Sequence, residues 1–172
     1  TQNDEIYTIF TEPTRNGKTT CMKLLNLALG VIIIMGQLIR HFLLILKGIL
    51  ARQIPEVLAL EKKRVVVTSE SEANEKLNTG HVKKITGGDK LDGRQMYSGE
   101  IINFKPQFKL ISLFNDIPDV DKLDKGFWSR CKVVGFPTTF VENPKNENEL
   151  PIDKDLKSKL DDWKQDFMLL LI

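Results

Sequence analysis

The chain has 172 residues, 41% hydrophobic and 28% charged, which excludes a disordered polymer and predicts one globular domain with a substantial core. Its 25 basic and 23 acidic residues nearly cancel, so net charge argues neither for nor against nucleic acid, and any basic surface has to be local. Cys21, Cys131, His41 and His81 show no paired spacing, which excludes an encoded disulfide framework or zinc site and fits a reducing, intracellular setting.

In chain order, Glu5-Ile-Tyr-Thr-Ile-Phe10 reads as an apolar strand, and Thr11-Glu-Pro-Thr-Arg-Asn-Gly-Lys-Thr-Thr20 as a tight turn opening a helix. A loop leaving a buried strand aims backbone N–H groups, and the positive end of the next helix, at one anion. Lys18 would add a charge there and Thr19 a hydroxyl for Mg²⁺. The phosphate-loop pattern wants a glycine five residues before Gly17, where this chain carries Glu12, so the match is partial. Taken alone, Asn16-Gly-Lys-Thr19 reads equally well as turn and cap residues.

Cys21, Leu24, Leu25, Ala28 and Leu29 fall at helical spacing before Gly30. Val31-Ile-Ile-Ile-Met35 is β-like, and Leu38, Ile39, Phe42, Leu43, Leu46, Ile49 and Leu50 return to helical intervals. The uncharged run from Leu24 to Ile39 is 16 residues, short of the roughly 20 a membrane span requires. A buried strand and helix are expected, with a membrane-associated segment or a locally disturbed sequence as alternatives.

Pro55 starts a short helix through Leu60, and Val65-Val-Val-Thr68 reads as a strand buried on both faces. Glu70 and Glu72 follow at its carboxyl end, where open α/β sheets gather ligands. A solvated helix N-terminus, which also favours acids, is the alternative.

Asn74 to Ile85 is expected to be helical, ending at Gly87-Gly88. Asp89 to Phe104 is a polar loop or hairpin, and Phe108 to Phe114 a further strand stopping at Asn115-Asp-Ile-Pro118. Asp121 to Trp128 should be a short helix, and Cys131 to Phe136 a strand closed by Pro137. Glu142 to Glu149 reads as a charged linker. From Asp153, residues Leu156, Leu160, Trp163, Phe167 and Leu170 form one apolar helix face. A start without methionine and an apolar end at Met168-Leu-Leu-Leu-Ile172 point to a piece of a longer protein.

The order is informative: a phosphate loop after the first strand, acids after a valine strand, an asparagine after the next, an arginine before the last. These are the parts an ATP-hydrolysing motor requires. The chain resembles superfamily 3 helicases, in particular the primase-helicases of large DNA viruses, of the poxvirus nucleoside-triphosphatase type, and their phage and plasmid relatives. The resemblance covers most of the chain. It is carried by Asn16-Gly-Lys-Thr19, Lys63-Arg-Val-Val-Val-Thr-Ser-Glu70, Lys84-Ile-Thr-Gly-Gly-Asp89 with Arg94 and Tyr97, Phe104-Lys-Pro-Gln-Phe-Lys-Leu110 leading to Asn115-Asp-Ile-Pro118, and Gly126-Phe-Trp-Ser-Arg130 before Val133-Val-Gly-Phe136.

What the resemblance implies is an α/β P-loop NTPase core of the AAA+ kind, three layers with a mostly parallel sheet flanked by helices, over residues 1–140. A linker and the start of a C-terminal helical lid would occupy 141–172, with the family's primase and collar regions absent upstream. It implies Lys18 as the Walker A lysine, Thr19 as Mg²⁺ ligand, and Asn16, Gly17 and Thr20 around ATP. It implies Glu70, with Glu72 beside it, as the Walker B acid, Asn115 as sensor 1, and Arg130 as an arginine finger reaching the ATP of a neighbouring subunit. Lys84, Asp89, Lys90 and Arg94 would contact nucleic acid or couple it to the ATP site. The partners implied are single-stranded DNA and further copies in a homo-hexamer, with no integral membrane segment. The setting implied is intracellular, in the host cytoplasm or at a replication site if the chain is viral.

Two departures stand against that pattern. Glu12 and Thr14 replace glycines usual in the family's loop, which puts one carboxylate near the phosphates and favours, as the rival reading, an impaired module that binds or assembles without hydrolysing. Val31 to Arg52 is more apolar than the family's segment, which points to divergence or a disturbed reading of the gene, and the apolar stretch Leu24 to Leu50 keeps a membrane-associated protein as a third reading.

Overall fold

The computed structural model describes residues 4–12, 14–30, 33–35, 55–69, 77–95, 97, 99–120 and 123–171. Its centre is a five-stranded sheet of β1 (Tyr7–Thr11), β2 (Ile33–Met35), β3 (Val65–Ser69), β6 (Lys109–Leu113) and β7 (Cys131–Gly135). Their order across the sheet is β2-β3-β6-β1-β7, and every pairing is parallel. Insertion of β6 between β1 and β3 brings three carboxyl ends level, because Leu113 is the register partner of both Phe10 and Ser69. That end of the sheet is where ligands of open α/β folds gather.

Both faces of the sheet are covered, so its central strands alternate between two separate cores rather than between core and water. On one face Tyr7, Ile9, Val66 and Leu110 pack with Val82, Ile85, Leu91, Phe104, Phe108 and Phe127. These come from α2 (Thr79–Thr86), the one-turn α3 (Lys125–Trp128), the strands β4 (Leu91–Arg94) and β5 (Ile101–Phe104), and the segment before β6. A 3-10 helix, Pro55–Leu60, closes the same side through Val57 and Leu60. On the other face Val67 and Leu113 meet Met22 of α1 (Lys18–Leu29), with Phe10, Leu25, Leu29 and Ile111 around them. Burying each such side chain is worth about 1.5–3 kcal/mol, which is what holds α1 against the sheet. Beyond α1 packs α4 (Leu156–Leu170), whose Leu160 is buried while Leu169 and Leu170 stay exposed.

Several boundaries differ from the sequence expectation for local reasons. The helix expected from Asn74 starts at Thr79, because Asn78 caps it by accepting the His81 N–H at 3.1 Å; residues 74–76 lie outside the described residues. The helix expected from Asp121 is the single turn α3, capped by Asp124, with 121 and 122 outside the described residues. The turn after Pro55 is 3-10 rather than α. The expected linker Glu142 to Glu149 instead joins two short strands, β8 (Thr139–Val141) and β9 (Glu149–Pro151), paired in parallel. Of the loop or hairpin expected over Asp89 to Phe104, the described residues form a hairpin, β4 pairing antiparallel with β5. Most of the apolar run after Met35, residues 36–54, lies outside the described residues. Among the described residues no helix is long and apolar enough to cross a membrane.

Candidate functional site: a phosphate-type loop at the carboxyl end of the sheet

The loop between β1 and α1 is folded back by three positive φ angles, 110° at Glu12, 63° at Arg15 and 85° at Gly17. Only at Gly17 does the residue type remove the cost of that conformation. A Cβ at Gly17 would stand 3.6 Å from the Phe140 ring, so its glycine is required by backbone angle rather than by space. Neighbouring strands hold the loop from both sides. The Glu12 N–H donates to the Asn115 carbonyl at 3.2 Å, and the Phe140 N–H of β8 donates to the Arg15 carbonyl at 2.8 Å.

Helix α1 begins at Lys18 with no side-chain cap and no acid in its first turn. The positive end of its dipole is therefore not offset by an acid of its own first turn, and it favours an anion. Asn16 and Lys18 are both buried, 6% and 7% exposed, an unusual depth for such polar residues. The Asn16 side-chain oxygen makes a long contact of 3.5 Å with the Lys18 N–H, while its Nδ2 is buried without a partner among the described residues. A buried amide donor left unpaired costs about 1–3 kcal/mol, so the site is built for an acceptor oxygen to arrive. Lys18 Nζ donates to the Glu12 carbonyl. The Glu12 carboxylate lies toward β7, its Oε1 3.6 Å from where a Gly135 Cβ would stand.

Two cavities open on this loop. One, of about 370 Å³, is lined by residues 14 to 20 of the loop and by Leu113, Phe114 and Asn115 at the end of β6. It brings Asn16, Gly17, Lys18, Thr19, Thr20 and Asn115, all singled out in the sequence, to one place. The other, of about 1220 Å³, lies between Arg15 to Gly17 and a wall of Phe136, Pro137, Phe140, Leu150, Ile152 and Leu156, with Thr20 and Cys21 on its floor. Sequence reasoning missed that wall. Its one signal was Phe136-Pro137, directly after the last sheet strand and so at the ligand-bearing end; β8 and β9 are too short to announce themselves by alternation. Glu12 lines neither cavity.

The remaining candidates lie elsewhere. Glu70 and Glu72 are outside the described residues, although β3 ends at Ser69, level with Leu113. Lys84, Asp89 and Lys90 are exposed on and after α2, and Arg94 ends β4; its side chain is outside the described set. The Gly87-Gly88 pair has a conformational reason: a Cβ at Gly87 would come within 2.8 Å of the Lys83 carbonyl, and Gly88 has φ 79°. Arg130 stands at the opposite end of the sheet, where its carbonyl receives the Tyr7 N–H at 2.8 Å. Its guanidinium contacts Glu5 at 2.6 Å and the Gly126 carbonyl at 2.5 Å, away from the loop of its own chain.

The chain is 32% identical, over an alignment of 182 residues covering all of it, to a protein of Acanthamoeba polyphaga mimivirus named "Putative helicase L207/L206". Its relatives carry the name of viral helicases. It is 34% identical over 57% of its length to "Putative helicase 022R" of Frog virus 3, and 33% identical over 66% to "Putative helicase V13" of Sputnik virophage. The chain spans 19%, 11% and 15% of the lengths of those three proteins. No family model matches it. Among solved structures, apo forms of the NrS-1 C-terminal region cover 96% of the chain with TM-scores of 0.62 to 0.64 at 16–17% identity, and the chain covers 35–36% of those structures. That likeness establishes the fold: an α/β core with a parallel sheet flanked by helices.

Proposed function

We propose that this chain is the ATPase motor of a DNA helicase of the superfamily 3, viral type, hydrolysing ATP with Mg²⁺ at the subunit interfaces of a ring to move along single-stranded DNA. The observation that carries the reading is the meeting of Lys18 and Asn115 in one cavity, at the open N-terminus of α1 and the carboxyl end of a parallel sheet. In this reading the first N–H groups of α1 and the unpaired Asn16 amide hold the phosphate oxygens. Lys18 leaves the Glu12 carbonyl to neutralise the β- and γ-phosphates. Thr19, exposed at the mouth of the loop, takes Mg²⁺ together with Glu70, and bound Mg²⁺ supplies the Lewis acid that offsets charge on the transferring phosphoryl group. Asn115 senses the γ-phosphate, and the apolar wall of Phe136 and Phe140 receives the base. Arg130, remote from its own loop, serves the neighbouring subunit's ATP, as a homo-hexamer would require. Lys84, Asp89, Lys90 and Arg94, on α2 and the hairpin, meet the DNA or couple it to the ATP site.

ATP turnover with and without single-stranded DNA, measured beside Lys18→Ala, tests the motor. Turnover that rises with DNA and disappears in the variant is the expected result. No turnover, or turnover indifferent to Lys18, overturns it. One observation favours a rival: Glu12 keeps a non-glycine φ of 110° and its carbonyl occupies Lys18. A loop locked in that state would bind and assemble without hydrolysing, and nucleotide binding without turnover would identify it.

A further inference from the structure

On the face of the sheet away from α1, three charged side chains converge on one glycine. A Cβ at Gly126 would lie 3.6 Å from Asp124 Oδ1, 3.7 Å from Lys83 Cδ and 3.9 Å from Arg130 Nη1. Lys83, in the last turn of α2, donates to both carboxylate oxygens of Asp124, at 3.1 and 2.9 Å. The same carboxylate caps α3 by accepting the Phe127 N–H at 3.0 Å. Lys83 in the first place, then Thr79 and the Phe127 N–H, hold the Asp124 carboxyl below the usual carboxylate range. From α3, in turn, the Gly126 carbonyl accepts Arg130 Nη1 at 2.5 Å, and Glu5 takes the other side of the guanidinium at 2.6 Å. The Arg130 Nε is buried without a partner among the described residues.

We propose that the Lys83–Asp124 ion pair positions Arg130, by fixing the turn α3 against the end of α2 and so setting where the Gly126 carbonyl holds the guanidinium. Lys83 and Asp124 are positioning residues. The chain of contacts is short: α2 leads through the tight Gly87-Gly88 turn into the β4–β5 hairpin, Asp124 ties α2 to the first residues of α3, and Arg130 hangs from the carbonyl of α3's second residue. A shift of the hairpin that moves α2 therefore moves Arg130. Phe127 makes this an adjustable link rather than a folding requirement. It is wholly buried and packs its ring on Tyr7 and Trp128, with centroids 5.9 and 5.2 Å away, so α3 stays docked when the ion pair is removed. As a link between a nucleic-acid element and an arginine finger, the proposal rests on the motor reading given above.

Two readouts test it on the whole chain, in Lys83→Met, Asp124→Asn and the conservative Lys83→Arg, which keeps a cation against Asp124 and leaves its cap on Phe127 in place. The first is the side-chain Nε–H resonance of Arg130, assigned by its loss in Arg130→Lys. It should shift in Lys83→Met and Asp124→Asn and stay near the wild-type position in Lys83→Arg. An unmoved resonance in a variant whose near-ultraviolet dichroism is native overturns the proposal, whatever turnover does. The second is DNA-stimulated ATP turnover, which should fall by up to about 100-fold, the cost of a displaced catalytic group, while the affinity for a fluorescent ATP analogue stays unchanged. A resonance that moves while Arg130→Ala leaves turnover intact supports the positioning and refutes the role given to Arg130 in the motor.

Discussion

The Nζ of Lys18 donates its hydrogen bond to the carbonyl of Glu12, the residue that stands where the phosphate-loop pattern has its first glycine. The lysine is thus held by backbone, while the acid's own carboxylate is turned toward Gly135 of β7. The sequence suggested a carboxylate beside the phosphates; the fold directs it to the edge strand. What remains costly at this position is the φ of 110°, worth about 1–3 kcal/mol for a residue with a Cβ. Glu12→Gly should therefore stabilise the fold by about 1 kcal/mol, read from the urea midpoint. Glu12→Gln should change nucleotide affinity by less than about threefold, because the half-buried carboxylate is turned toward Gly135 and Glu12 lines neither cavity. A tenfold gain in Glu12→Gln would mean that the carboxylate faces the phosphates after all.

Phe140 braces the loop twice, through its N–H on the Arg15 carbonyl and through its ring over Gly17. Truncation to alanine keeps the backbone bond and removes the ring from the wall of the larger cavity. Base–aromatic stacking is worth about 1–3 kcal/mol, so Phe140→Ala should weaken binding of a fluorescent ATP analogue roughly five- to hundredfold. Inorganic phosphate or pyrophosphate, which lack a base, should compete equally well with both proteins. Equal loss for both ligands would show that the ring shapes the loop and does not hold a base.

Gly93 lies in β4 where the hairpin rests on the 3-10 helix, and a Cβ there would stand 2.4 Å from Leu58 Cδ2 and 2.5 Å from its Cγ. The clash is with a side chain, so part of it is relieved by a rotamer change. Gly93→Ala should destabilise by about 1–3 kcal/mol, and Leu58→Ala in the same chain should recover most of what the added methyl costs. Strict additivity of the two variants in urea denaturation would show that they do not share this contact.

The turn between β1 and α1, the valine strand, the hairpin and the Asn115 strand end were legible because each carries its own local chemistry: a turn with a lysine, a both-faces-buried run, a glycine pair, a strand stopped by polar residues. The order of strands was not. That β6 lies between β1 and β3 follows from tertiary packing, and only this order places Asn115 against Glu12. The apolar wall was hidden for a different reason. Thr139–Val141 and Glu149–Pro151 are three-residue strands set in a charged, proline-containing stretch, whose pairing is fixed by the Arg15 carbonyl and by each other rather than by alternation. Lys83 was passed over in favour of Lys84 because nothing in the sequence says that Asp124 will lie beside α2. The ion pair is a contact between residues 41 positions apart.

Tyr7 and Cys131 are register partners at the start of β1 and β7, and both resist losing a proton. Burial pushes the Cys131 thiol up to about 11, with the Asp124 carboxylate adding to the effect. Burial also pushes the Tyr7 phenol up, opposed in part by the Ser112 hydroxyl. In the unfolded chain the thiol ionises near pH ~8.5 and the phenol near ~10. Above about pH 8.5, therefore, the unfolded chain releases a proton that the folded chain retains, the unfolded state binds fewer protons, and stability falls as pH rises. The contribution of Cys131 is fully present below that pH and is lost progressively up to about 11, while that of Tyr7 begins to go above about 10. Urea midpoints measured across this range should decline in the wild type. Cys131→Ala should make the early part of the decline shallower without delaying its onset, because burial also raises the Cys21 thiol, and Tyr7→Phe should flatten its upper part. Parallel curves for all three proteins would show that neither group stays protonated in the fold and that the alkaline loss belongs to other groups.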